Sequence, residues 1–533
     1  MRFTAIILLA AVCLSTVPAF AAEWRVDVSP AISDHGNAAA AGSLANVLAK
    51  IGTQPATVIL TGAGRYPVKT VLTIPDTVEL CFQRGAVLAI EAPAKVTING
   101  HLQAGPWPIF ALQGRLDGAA QNPTVLPQWF GAAGDGRADD TRPLQQAVDF
   151  ACTSGIRNVD LGRGRYRLTK TLDCTNLRLP GTIVRDGLEI HGSSFSTTAL
   201  VGETGDGAAV IETSGSQWLE LRHFVICQGE KNPSTVGIFA GVPKALPQCQ
   251  NQVFHVYLSF GDNMKANDGF GTIGIWNFAA EEHTYQSVYI HANRPVVLSA
   301  FNNFPNPAGP LKLNYRKSYI ELLQVHSLGM TTFSGECFLL SQRAPAVTTQ
   351  CINSLSAQNL YIGGQGDASH VAFDIYGSLV NLTYSGTVEG MATFMRINGS
   401  LVNATVGVTF GGMAGNRQAP LLELGSNGMI SGSDLKFSME ADKDRNLLGL
   451  MADAAPKAAT VTAAELNAKI KEGQVDAIAP AAGLTIAPAV NAAIINTRMI
   501  TTLEDQFLVI PAAIRAHSRH SIIAGQIKVI ELK

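Results

Sequence analysis

Most apolar positions of this chain fall in short alternating runs bounded by turn-forming residues. The stretch Leu401–Val406 alternates in this way, with the two-residue period of a strand that has one face on a core. The runs Gln252–Leu258, Gln286–Ala292, Lys317–Ser327 and Gln358–Gly364 are rich in β-branched and aromatic residues and predict further strands. One segment keeps a helical period instead. Leu144, Ala147, Val148 and Ala151 lie at i, i+3, i+4 and i+7, which predicts a helix opened by Asp140 or Thr141. Pro143 is tolerated so early because its missing N–H lacks a partner there anyway.

The pattern also repeats. The run "GSLVNLT" at Gly377–Thr383 returns as "GSLVNAT" at Gly399–Thr405, a period of 22 residues. That period suits one coil of a parallel β-helix, whose short strands stack on the next coil at about 4.8 Å. Leucine-rich repeats have a similar length, but their ladder of leucines is missing. Wider spacing of the other strands predicts coils enlarged by loops such as Gly261–Gly271 and Phe301–Pro310, projecting from one edge. A longer-range duplication pairs "GRYPVKTVL" (Gly64–Leu72) with "GRYRLTKTL" (Gly164–Leu172), each after an apolar strand. These signals predict an N-terminal β-rich segment over 22–120, the solenoid over 121–440, and a small α/β capping segment over 441–533. Within the last, a capping box at Thr462–Glu465 opens a short helix ending at Gly473.

The charge balance adds little drive toward any polyelectrolyte: 39 basic and 41 acidic residues leave a formal net charge of −2, which argues against nucleic acid as a partner. Residues 1–21 combine Arg2, an apolar run from Ala5 to Leu14 and a small-x-small site at Ala19–Ala21. They read as a signal peptide, so the mature chain is expected to be secreted or periplasmic, with no membrane association after cleavage. Beyond Cys13, the cysteines at 81, 152, 174, 227, 249, 337 and 351 form no Cys-x-x-Cys pair, so no zinc site is expected. Cys227–Cys249 is the first spacing to test for a bridge, and buried thiols acting as small apolar residues are the alternative.

Between the duplicated units stands "WFGAAGDGRADDT", Trp129–Thr141. Its glycines allow a tight turn and its aspartates suit the start of a helix, so it reads as architecture more readily than as a calcium or catalytic loop. Together with the helix and "VDLGRGRYRLTKTL" that follow, it resembles the entry segment of the pectate-lyase superfamily, the right-handed parallel β-helix proteins that include phage tailspikes and relatives of family-28 glycosidases. The resemblance covers about 50 residues. It implies a single-stranded right-handed parallel β-helix, pectin-lyase-like and all-β, continuing to about residue 440. It carries over no active site: the Asn-Thr-Asp and Gly-His-Gly elements of polygalacturonases and the Trp-Ile-Asp-His element of pectate lyases are absent.

Candidate chemistry therefore comes from this chain's own residues. A glycosidase needs two carboxyls about 5–5.5 Å apart for retention or about 6.5–9.5 Å apart for inversion, spacings that stacked coils supply. A lyase needs a base, together with calcium or a basic group to neutralise a uronate. The densest polar cluster is "NFAAEEHTYQSVYIHANR", Asn277–Arg294, with the loop before it. Glu281, Glu282 and Asp262 are the expected catalytic carboxyls, and His283, Trp276, Tyr289 and Arg294 the expected substrate contacts; Glu389 is a second carboxyl candidate. No metal and no cofactor is expected unless the reaction is that of a lyase. The leading expectation is a polysaccharide-active enzyme, a hydrolase before a lyase, as monomer or homotrimer. A non-catalytic glycan-binding solenoid and a trimeric tailspike-like depolymerase or adhesin are its rivals.

Overall fold

The computed structural model describes residues 24–533 except 176, 178–186, 206, 241–251, 260–272, 278–282, 299–327, 342–344, 350–351, 365–369, 412–420, 426–427, 440–447, 451–492, 496, 502–505, 511–521, 525–526 and 532–533. The chain divides into a unit ending at Asn122 and a second beginning at Pro123.

The first unit is itself a short stack of parallel coils. Three small sheets, all parallel, are filled in rotation by strands recurring along the sequence, such as Ala56–Leu60, Val78–Phe82 and His101–Gln103. A helix, Leu44–Ile51, precedes them, and Ser43 caps it by accepting a hydrogen bond from the Asn46 N–H.

The second unit repeats this plan at greater length. Its first and second walls belong to one continuous 22-stranded sheet, and its third wall is a ten-stranded sheet. From Asn158 to Leu450 each coil contributes one strand or part-strand to each wall, and every pairing is parallel. Leu200, Ile226, Leu258, Ile290, Leu339, Ile362, Val388 and Phe410 stand in register on the second wall and are all fully buried. Burial of each large apolar side chain contributes about 2 kcal/mol. Because successive side chains point to opposite faces, the residue before each of these faces outward. Seven cysteines were expected in the mature chain; Cys249, the expected partner of Cys227, lies outside the described residues.

The 22-residue repeat is one coil. Ser378, Leu379 and Val380 pair directly with Ser400, Leu401 and Val402. The repeated asparagines sit where the chain turns from the first wall to the second, at φ 56° for Asn381 and 54° for Asn403. Asparagine tolerates this left-handed conformation better than most residues. The next coil uses Gly432 at the same corner, φ 60°, so the repeat continues in conformation after it has faded in sequence. The expected strand at Lys317–Ser327, the two projecting loops and the helix at 462–473 lie outside the described residues. The large sheet does take up Ala493–Ile495, Arg498–Thr501 and Ile522–Ala524.

The motif at Trp129–Thr141 is structural. Asp135 accepts from the backbone N–H groups of Arg137 and Ala138, and Asp139 accepts from Thr141 and Thr169. One expectation needs correction: the carboxylate of Asp140 does not cap the helix Thr141–Ser154. It turns back to accept from the N–H groups of Ala133 and Gly134, 2.7 and 3.1 Å away, and so ties down the glycine turn. The same bonding pattern stands at the start of the first unit. His35 N–H donates to the Pro67 carbonyl as Asp140 N–H does to that of Arg167. Lys69 N–H donates to Asp34 as Thr169 N–H does to Asp139. The buried Tyr66 and Tyr166 hydroxyls donate to the Thr61 and Leu161 carbonyls. The duplication seen in sequence is thus a duplicated entry device.

Candidate functional site

The outward positions of the second wall carry the most distinctive surface chemistry. Val225, Tyr257, Tyr289, Phe338, Tyr361, Thr387 and Thr409 share one register row. Four consecutive members are aromatic. Ring centroids are 5.6 Å apart from Tyr257 to Tyr289, 6.2 Å from Tyr289 to Phe338 and 5.6 Å from Phe338 to Tyr361. Phe195, from the preceding corner, stacks on Tyr257 at 3.8 Å and extends the row. Phe338 is 38% exposed, an unusual place for phenylalanine, and the others are half-buried.

At one end, Tyr361 lies across Gly363, where a Cβ would come within 2.9 Å of its ring. The glycine lets the phenol reach Glu389, to which it donates at 2.7 Å. Burial, and then the Glu389 carboxylate, push the Tyr361 pKa up to about 12, so the phenol stays a donor at neutral pH. At the other end His223, His255, Phe195 and Tyr257 come together, beside a first-wall row formed by Asp160, His191, Arg222 and His255. Arg222 bonds Glu220 at 2.7 Å, Arg157 takes the other oxygen of Glu220 at 3.2 Å, and His191 lies 3.6 Å from both Asp160 and Glu189.

The expected site residues are distributed differently from expectation. Asp262, Glu281 and Glu282 lie outside the described residues. Tyr289 stands in the aromatic row. Trp276 is fully buried, edge-on to Phe239 at 5.4 Å, and so is not an exposed sugar platform. His283 is a core residue as well: it shares the inward face with Tyr285, packs against Phe254, and burial lowers its pKa to about 3. Arg294 is 2% exposed, with burial drawing its pKa down and Tyr376 and Asp374 opposing that. It belongs to a third-wall cluster in which Tyr376 and Asn398 donate to Asp374 while Arg396 bonds Glu423. Those groups satisfy one another, which fits a structural role. Glu389 is an exposed carboxylate bonded to Tyr361. Reasoning from sequence missed the row itself, although the two-residue alternation that fixes Ile290 inward also fixes Tyr289 outward.

Among the described residues no group of three or more His, Cys, Asp or Glu could hold a metal ion, and no helix is long and apolar enough to cross a membrane. Planar rings repeated once per coil, edged by hydroxyl, imidazole and carboxylate groups, can bind a long ligand that offers flat C–H faces and hydroxyls in succession.

No family model matches the chain. A stretch of 150 residues, 27% of this chain, is 27% identical to a protein of Klebsiella phage KP32 described as "Depolymerase 1, capsule K3-specific", and corresponds to only 14% of that protein's length. Among solved structures, the A-module of the mannuronan C-5 epimerase AlgE6 of Azotobacter vinelandii is 12% identical. It aligns over 77% of this chain and all of its own, at a TM-score of 0.35. The tailspike gp42 of Acinetobacter phage vb_AbaP_AS12 is also 12% identical, over 77% of this chain and 63% of its own, at 0.36. The assignment as a parallel β-helix rests on the strand pairing above.

Proposed function

We propose that this chain is an exported protein that binds a polysaccharide lengthwise along the aromatic row and depolymerises it. The observation that carries the reading is the row itself: one ring per coil, at 5.6–6.2 Å intervals, on the outer face of a β-helix. An extended glycan presents one ring per step in the same way. The capsule-depolymerase relative supports the reading, and residues 1–21 support export. Cleavage by hydrolysis, through a carboxylate pair drawn from Asp262, Glu281 and Glu282, is part of the proposal. The nearest described neighbour of Asp262 is Ser259, which ends the strand carrying Tyr257. Those of Glu281 and Glu282 are Asn277, which ends a third-wall strand, and His283, which opens the next first-wall strand.

The test is a panel of capsular and cell-wall glycans, scored for binding by calorimetry and for cleavage by reducing ends and by the ultraviolet absorbance of unsaturated products. Tyr289→Ala and Phe338→Ala are each expected to weaken binding about tenfold, the effect of losing one stacked ring. Unchanged affinity in both variants overturns the row as the binding face. Full turnover in both Glu281→Gln and Glu282→Gln removes that catalytic assignment, and binding without any turnover favours a glycan-binding solenoid. Sedimentation distinguishes a monomer from a homotrimer.

A further inference from the structure

One end of the row holds a feature that stacking does not require. His223 has φ 59°, in the left-handed region that histidine, like asparagine and aspartate, enters more readily than most residues. It stands at a register shift in the strand Glu220–Gln228, between Arg222 and Val225. This is the first-to-second-wall corner that Asn359, Asn381 and Asn403 occupy in later coils, so the backbone is the coil's own turn and the imidazole is what distinguishes this one. Here the turn places an exposed imidazole edge-on to His255, centroids 4.8 Å apart. Both rings flank Phe195, at 6.0 and 5.2 Å, so two histidines bracket the first platform of the row.

The surrounding charges leave this spot open to an anion. Arg222 is in register with His255, and the one acid that holds Arg222, Glu220, is shared with Arg157. Glu189 lies one coil away from Arg222 and Asp160 two coils away, with His191 between them. Tyr257 contributes an uncharged phenol on the same face. We infer that His223 and His255 form an anion-recognising subsite, and that the glycan on the row is an acidic polysaccharide whose carboxylate docks there. The inference rests on the row reading and adds the substrate's charge class to it.

Burial, then the neighbouring His223 and Arg222, lower the pKa of His255, so its ring is neutral at neutral pH and gains a proton as an anion arrives. Affinity for an acidic glycan therefore rises as pH falls below about 6.5.

The experiment titrates oligouronates and acidic capsular oligosaccharides, each beside its carboxyl-reduced form, into the full chain at pH 5.5 and pH 8. The acidic forms are expected to bind about tenfold more tightly at the lower pH, as a hydrogen bond to a charged group would give. The reduced forms should show no such change. His223→Asn, which keeps a residue suited to the backbone, and His255→Gln should each abolish the pH-dependent difference between the acidic and reduced forms. Equal binding of acidic and reduced forms at both pH values overturns the inference and leaves the row reading standing, as does a pH dependence that survives both substitutions. If Tyr289→Ala leaves binding of every probe unchanged, it is the row reading that falls.

Discussion

Replacing His283 by leucine should stabilise the protein in acid and do so by an amount that grows as pH falls. His283 is 1% exposed, neither ring nitrogen has a hydrogen-bond partner, and its pKa is about 3. In the unfolded chain the ordinary value of about 6.5 returns. The folded pKa is the lower one, so above pH 6.5 both states are neutral and titration costs nothing. As pH falls below 6.5 only the unfolded state takes up the proton, and stability drops by about 1.4 kcal/mol per pH unit until about pH 3. At pH 4.5 this amounts to about 2.7 kcal/mol, a large share of the roughly 5–15 kcal/mol that holds a typical domain together. His283→Leu lacks this term, and it also removes two unsatisfied polar atoms that each cost about 1–3 kcal/mol. Urea unfolding, followed by the fluorescence of the buried Trp276, would be compared between wild type and variant from pH 7.5 to pH 4.5. The other lowered histidines, His35, His255 and His291, titrate in both proteins and cancel in the difference. A difference that stays constant across this range refutes the reasoning, as does a His283 ring resonance that titrates near 6.5 in the native state.

Asp140→Ala should cost about 2–3 kcal/mol, because the Ala133 and Gly134 N–H groups lose their acceptor; thermal unfolding would record the loss, and Asp135→Ala at the exposed turn should cost much less. Asn403→Ala should destabilise by about 1 kcal/mol and Asn403→Gly hardly at all, since the corner demands a left-handed backbone; a urea midpoint series checks this. Gly363→Ala places a methyl 2.9 Å from the Tyr361 ring and 2.7 Å from Leu340, so it should break the Tyr361–Glu389 hydrogen bond and weaken glycan binding with only a small effect on melting temperature. Calorimetry and melting, run on the same preparation, separate those two effects.

The coil was legible in the sequence wherever successive coils have equal length. Gly377–Thr383 and Gly399–Thr405 coincide because nothing is inserted between them, and the entry segments match because the same backbone hydrogen bonds constrain both. The aromatic row was not legible, since loops of unequal length separate Tyr257, Tyr289, Phe338 and Tyr361 and erase their period along the chain. Only pairing restores it. His283 and Trp276 misled for a different reason: polarity and ring size suggested a surface role, yet strand alternation places His283 on the face of Tyr285, beside the column Phe254–Tyr285–Phe333. The local pattern carried that information, and residue type obscured it.

The corner asparagines also bear on how such a molecule changes length. Each coil leaves and re-enters the stack at the same conformation, so Gly377–Asn398 can be excised whole, or copied, and the flanking ladders will meet again in register. Removing an odd number of residues from within a strand would instead invert the faces of the rest of that strand. Evolution, or an engineer, can therefore adjust the span of this surface only in whole rungs, gaining or losing one ring-sized step each time.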